Sequence, residues 1–248
     1  MLTRLRCGLC FVLLGVAGTA GAQNCVLPIP LQYEFQNNVT ATLAAPNATD
    51  PCALSVSTNS GAGPAAAGIL HYRRASPLAS VRYGFHFDAG ALTNFDAVNR
   101  SVMLFSASSP LVIGDVSHLL DIRLLGGSPN PSLRFSTATD QPQALVTPVA
   151  LAQTANTLRV EINVGSGTAG NVRYWINHAY SDPPDGVIDR AGTGLNNAAF
   201  AGVVSAEIGL SSATTLFRAE QAGNAIVFDQ IESGDDVLFF DDFSGGAQ

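Results

Sequence analysis

Residues 158–164 read Leu158-Arg159-Val160-Glu161-Ile162-Asn163-Val164. The chain then passes through Gly165-Ser-Gly-Thr-Ala-Gly170 into Val172-Arg173-Tyr174-Trp175-Ile176-Asn177. In both runs a large apolar residue alternates with a mostly polar one. A period of two sends successive side chains to opposite faces, so these are strands with one face in a core and one in water. That alternation is the mark of antiparallel sheets. The intervening glycines match G-x-G-x-x-G, but a phosphate cradle needs a helix N-terminus directly after the loop. A strand follows here, so the segment reads as a hairpin turn.

The same period recurs on either side. Val81, Tyr83, Phe85 and Phe87 alternate with Arg82, Gly84, His86 and Asp88, and Val204, Ala206, Ile208 and Leu210 form another such run. Segments 69–72, 102–105, 119–125, 226–228 and 237–240 are strand-like and apolar on both faces. Turn clusters separate them, among them Gly126-Gly-Ser-Pro-Asn-Pro131 and Asp182-Pro-Pro-Asp-Gly186. Many short strands punctuated by Gly, Pro, Asn and Asp predict a sandwich or barrel. The fold expected is all-β: a single antiparallel two-sheet β-sandwich, jelly-roll-like, over about Cys25 to Phe243. The Ala/Gly-rich stretch from Thr40 to Gly68 reads as a long loop.

The start of the chain carries Arg4 and Arg6, an apolar run from Leu9 to Ala17, and a small-residue site at Ala20-Gly-Ala22. This order predicts a bacterial-type signal peptide over 1–22. The organisation expected is a leader over 1–22, an N-terminal strand and loop over 23–66, and the rest of the same domain over 67–248. Export to the periplasm or the extracellular space follows, with no membrane span in the mature chain. Cys25 and Cys52 then remain as a pair, read as one disulfide of an exported protein. Closing that 28-residue loop is worth roughly 3.5 kcal/mol in the chain-entropy model. Losing Arg4 and Arg6 leaves ten arginines, no lysine and 19 acids, a net charge of −9. An acidic chain without a basic stripe lacks the main source of nucleic-acid affinity, and that partner class is excluded.

The segment order resembles the concanavalin A-like lectin/glucanase superfamily, including laminin G-like sandwiches. The resemblance is carried by Val81–Phe87, Leu158–Val164, Tyr174-Trp-Ile-Asn177 with Asp185-Gly186, Ile208-Gly-Leu210 and Phe228-Asp-Gln-Ile231. It implies the sandwich fold and a carbohydrate as ligand. Glycanases of that fold resemble one another in an E-x-D-x-x-E strand, and none of Glu34, Glu161, Glu207, Glu220 or Glu232 lies in that pattern. Jelly-roll polysaccharide lyases carry a Q-I-H element, and this chain has Glu232 in the His position of Gln230-Ile-Glu232. Relatives of the fold hold a structural calcium between terminal strands, which singles out Asp229, Asp241 and Asp242.

Two candidate sites follow from the residues themselves. Trp175 on the polar side of its strand, with Arg173, Asn177, Glu161 and Arg159 on the same face, suits stacking and hydrogen bonding to a sugar; the competing account packs Trp175 under the loop after it. Asp182, Asp185 and Asp189 gather carboxylates in one turn as hard oxygen donors for calcium; the competing account is an acidic turn. No zinc spacing, nucleophile elbow or free cysteine pattern appears. The leading expectation is a secreted non-catalytic binding or adhesion module for a glycan or cell-surface component. The alternatives are a divergent glycoside hydrolase or polysaccharide lyase using Glu161, and a structural subunit of a surface assembly. Oligomeric state stays open.

Overall fold

The computed structural model describes residues 31–35, 39–44, 53–59, 68–110, 116–139, 145–234 and 238–239. Cys25, Cys52, Asp241, Asp242 and the leader lie outside these residues. The strands in chain order are β1 (Leu31–Phe35), β2 (Val39–Ala44), β3 (Ala53–Thr58), β4 (Gly68–Leu78), β5 (Ser80–Asp88), β6 (Ser101–Pro110), β7 (Val116–Leu125) and β8 (Ser132–Thr137). They continue as β9 (Leu145–Ala150), β10 (Ala155–Asn163), β11 (Asn171–Ile176), β12 (Gly186–Ile188), β13 (Val203–Ser211), β14 (Ala225–Gly234) and β15 (Leu238–Phe239). One short helix, α1 (Thr215–Glu220), precedes β14 and is capped by the Thr214 hydroxyl, which accepts from the Phe217 N–H. No helix among the described residues is long and apolar enough to cross a membrane.

Two antiparallel sheets result. Sheet A runs β1-β4-β13-β6-β7-β8-β9, and sheet B runs β12-β11-β10-β5-β14-β3-β2 with β15 added on β14. The alternating runs supply their inner faces. Phe85 and Tyr83 of sheet B meet Phe105 of sheet A at ring-centroid distances of 6.1 and 5.6 Å, and Tyr174 stacks on Phe135 at 4.8 Å. Val81, Phe87, Leu158, Val160, Ile162, Leu104, Ile122 and Phe228 complete a fully buried layer. Aromatic pairs across the gap fill volume while avoiding polar atoms, and their burial is the main stabilising term.

Two details correct the sequence reading, and a third agrees with it. The stretch 40–68 is not all loop: β2 and β3 form a hairpin within it and join sheet B beside β14. The run at 203–211 carries a β-bulge between Val203 and Ser205, so Val203 rather than Val204 enters the core. The turn 165–170 is a hairpin loop with a single 3-10 turn at Gly167–Ala169, directly joining β10 to β11.

Candidate functional site

The outer face of sheet B is where Trp175 and its neighbours lie. Strand register sets Arg173, Glu161 and Arg82 side by side across β11, β10 and β5, and sets Trp175, Arg159, Gly84 and Glu232 in the next row. Both rows are internally paired. The Glu161 carboxylate accepts from Arg82 Nε at 2.7 Å, from Asn163 Nδ2 at 3.1 Å and from Arg173 Nη1 at 3.3 Å. Burial alone would raise this carboxyl; the Asn163 amide with Arg82 and Arg173 outweighs it and holds Glu161 below the ordinary range. Arg159 grips Glu232 through two parallel bonds of 2.9 and 2.6 Å. Gly84 lies beneath that pair; a Cβ there would stand 2.8 Å from Glu232 Oε2 and 3.1 Å from Arg159 Cγ, so the pair would have to shift to admit one.

Trp175 is not an exposed platform. It is 3 % exposed, its Nε1–H donates to the Asp182 carbonyl at 2.8 Å, and Tyr180 packs edge-on at 5.1 Å. Segment 177–185 folds back over the sheet face, which is the competing account given above. Tyr180 lies under Arg82 and Arg159, with guanidinium carbons 5.1 and 5.8 Å from its ring, and burial pushes its phenol far up. Asn177 takes a left-handed turn conformation (φ 63°) and bonds Thr157 N–H and Asn156. These residues are brought together, but into a closed network.

The acidic turn is likewise self-satisfied. Asp185 accepts from the Ile176 N–H, Asp182 from the Ala179 N–H, and Asp189 from the Gly192 N–H. Each carboxylate serves its own backbone amide, and among the described residues no group of three His, Cys, Asp or Glu is placed to hold a metal. Asp182, Asp185 and Asp189, the residues expected to hold calcium, are thus each engaged by a different backbone amide. Asp229 instead bonds His86 Nδ1 at 2.8 Å and raises that imidazole.

The outer face of sheet A differs. Here Glu207 (β13), Ser106 (β6) and Asp121 (β7) stand in one row, with His71 of β4 beyond Glu207. Ser106 Oγ donates to Glu207 at 3.3 Å, and Asp121 binds His118 Nδ1 at 2.7 Å. The hydrogen bond that His118 donates to Asp121 is the main influence raising the imidazole; burial opposes it, and the charges of Asp121 and then Glu207 add to it. Asp121 is thus the direct partner of the imidazole, which is 55 % exposed on its side chain. This constellation can bind hydroxyls and move protons.

The adjoining row reads Met103, Arg123, Arg134 and Pro148 across β6 to β9. It holds two guanidiniums directly opposite each other and no acid. Arg123 Nη2 donates to the Ser212 carbonyl at 2.5 Å and to Ser101 Oγ at 3.4 Å. The Nε atoms of both Arg123 and Arg134 are buried with no hydrogen-bond partner. Burial and then Arg134 lower the Arg123 guanidinium, with Asp121 opposing. Buried polar atoms are normally satisfied, so unsatisfied ones distinguish a face that expects a partner from one that has its own. Among the described residues sheet B has one such atom, Thr58 Oγ1 on β3, but only sheet A sets two of them directly opposite each other beside the Glu207, Ser106 and Asp121 row, and that face is taken as the candidate site. The sequence missed it because Glu207 and Ser106 are 101 residues apart. The Arg pair was within reach: a hairpin pivoting on 126–131 sets 123 opposite 134.

No family model matches the chain, and no curated protein sequence does. Among solved structures, the bifunctional GH43-CE protein of Bacteroides eggerthii aligns with a TM-score of 0.52 at 14% identity, over 85% of this chain and 24% of that one. An endo-1,3-beta-glucanase from Streptomyces sioyaensis gives 0.49 at 11% identity, over 82% of this chain and 88% of that one. An alginate lyase from Pseudomonas aeruginosa gives 0.46 at 10%, over 81% and 87%. At such identities the likeness is one of fold and assigns no activity. The chain is a jelly-roll-like sandwich of two antiparallel sheets, the fold expected from its sequence.

Proposed function

We propose that this chain is a carbohydrate-active sandwich that takes a glycan across the outer face of sheet A, where Asp121, His118 and Glu207 transfer protons to and from it. The observation that carries the reading is the outward row of Glu207, Ser106 and Asp121 across β13, β6 and β7, with His118 hydrogen-bonded to Asp121 at its end. Neighbouring strands are about 4.8 Å apart, so groups on β13 and β7, with β6 between them, stand two spacings or about 9.6 Å apart, at the upper limit for an inverting carboxyl pair and too far for a retaining one. Glu161, the residue the sequence offered for catalysis, is held by Arg82, Arg173 and Asn163 and is assigned to the scaffold. The burial of Trp175 removes the feature that favoured a purely binding role on sheet B.

The test is turnover of a panel of neutral and acidic polysaccharides by the mature protein, followed by reducing-end release and by absorbance of unsaturated products. Cleavage of one class, lost on Asp121→Asn and on Glu207→Gln but kept on Glu161→Gln, supports the assignment. A non-catalytic glycan-binding module is the second reading, favoured by the Arg123–Arg134 row, which can recognise without reacting. Binding on this face without turnover of any polysaccharide would replace the first reading with the second.

A further inference from the structure

The Arg123–Arg134 pair deepens that reading and rests on it for the glycan, though not for the anion. Directly opposed residues of an antiparallel pair have Cβ atoms about 5 Å apart, and like charges there repel. Sheet B shows what this chain does elsewhere with outward guanidiniums on paired strands: Arg82, Arg159 and Arg173 each have a glutamate. Arg134 has none. Its neighbours in the row are Arg123 and Pro148, and the residues two away on its own strand are Ser132 and Ser136. Asp121, the acid closest in the register, is engaged by His118. Both Nε atoms are buried and unpartnered; the terminal nitrogens of Arg123 hold Ser212 and Ser101, and those of Arg134 have no carboxylate among the described residues.

Planar guanidinium forks match the two oxygens of a carboxylate or sulfate, and a charge-assisted pair of such bonds is strong and directional. We infer that Arg123 and Arg134 together bind the carboxylate or sulfate of an acidic sugar, which makes the glycan on the sheet A face an acidic polysaccharide. The net charge of −7 means that long-range attraction does not supply this affinity. Recognition is local, and it lies one row from Asp121, so an anchored acidic sugar sets the register of the chain over His118 and Glu207.

The experiment measures four probes by isothermal titration and by arginine Nε–Hε NMR: inorganic sulfate, trigalacturonate, a sulfated trisaccharide, and a neutral trisaccharide. The variant is Arg134→Gln, with Arg82→Gln on sheet B as the charge-loss control. The expected result is binding of trigalacturonate, or of the sulfated trisaccharide, with the neutral sugar at least tenfold weaker. Arg134→Gln should cost at least tenfold, Arg82→Gln should cost nothing, and the Arg123 and Arg134 Nε resonances should shift. Which of the two acidic sugars binds more tightly identifies the anion. The anion-free Arg134→Gln protein should melt no lower than wild type, since the substitution removes a repulsion; a merely structural arginine would lower it. Equal binding of the neutral sugar, or unchanged affinity in Arg134→Gln, overturns the inference and leaves the glycan reading standing. Sulfate binding that Arg134→Gln abolishes, with no sugar bound, keeps the anion site and overturns the glycan.

Discussion

Replacing Glu161 by Gln keeps the shape of the side chain and removes the charge that holds Arg82 and Arg173. The carboxylate is 8 % exposed and accepts from three side chains, with both Arg82 contacts at 2.7 Å. A hydrogen bond to a charged group is worth about 1.5–3 kcal/mol net. The two arginines are half exposed, at 50 % and 47 %, so they return to water when released and much of the Coulombic loss is screened. A loss of about 2 kcal/mol remains, or a Tm lower by roughly 4–8 °C for a domain of this size. The pH dependence has a definite sign. The folded carboxyl lies below its unfolded value of about 4.3, so the stabilisation is fully present above that value. It disappears as pH falls through the folded pKa. Differential scanning calorimetry of wild type and Glu161→Gln from pH 3 to 7.5 should show a constant gap at the upper end that closes below about pH 4. A Tm within about 1 °C of wild type at pH 7, or a gap unchanged at pH 3, would refute the scaffold assignment.

Three further outcomes are expected. Gly84→Ala places a methyl group 2.8 Å from Glu232 Oε2 and 3.1 Å from Arg159 Cγ, and urea unfolding should show a loss of about 1–3 kcal/mol; a neutral result would mean that the pair does not pack over Gly84. Trp175→Phe deletes the donor to the Asp182 carbonyl, lowering stability by about 1–2 kcal/mol. Amide exchange in 177–185 should also speed up, and unchanged exchange would contradict the account of that loop. The His86 imidazole is raised chiefly by its bond to Asp229, so the pair stabilises below an unfolded pKa of about 6.5 and the gain is lost as pH rises through the folded value. An NMR titration of Asp229→Asn should bring His86 down, and an unchanged midpoint would exclude Asp229 as the cause.

Much of the architecture was legible because a two-residue period is a local signal. The inner faces of β5, β10 and β11 follow it position by position, and the glycines of 165–170 make the turn between them. The N-terminal hairpin of β2 and β3 was missed because Ala, Thr and Ser give little contrast between faces. Trp175 shows the limit of the rule. Alternation assigned it to the outward side, which is correct, but outward equals exposed only when nothing folds over the sheet, and Tyr180 and Asp182 do. The acidic turn looked like a metal loop because composition cannot distinguish carboxylates that face inward to one ion from carboxylates that cap separate amides. The candidate site on sheet A needed the order β13-β6-β7-β8, which no local pattern encodes. Only its Arg123–Arg134 part was accessible, through the symmetry of one hairpin.

The claim that sheet A rather than sheet B meets the ligand is tested most directly by hydroxyl-radical footprinting of the mature protein with and without a bound acidic oligosaccharide. The account predicts protection of the 116–125 and 132–137 segments, centred on His118, Arg123 and Arg134, with 158–163 and 171–176 unchanged. Protection confined to 158–176, or centred on Tyr180, would contradict it and return the site to the sheet B face.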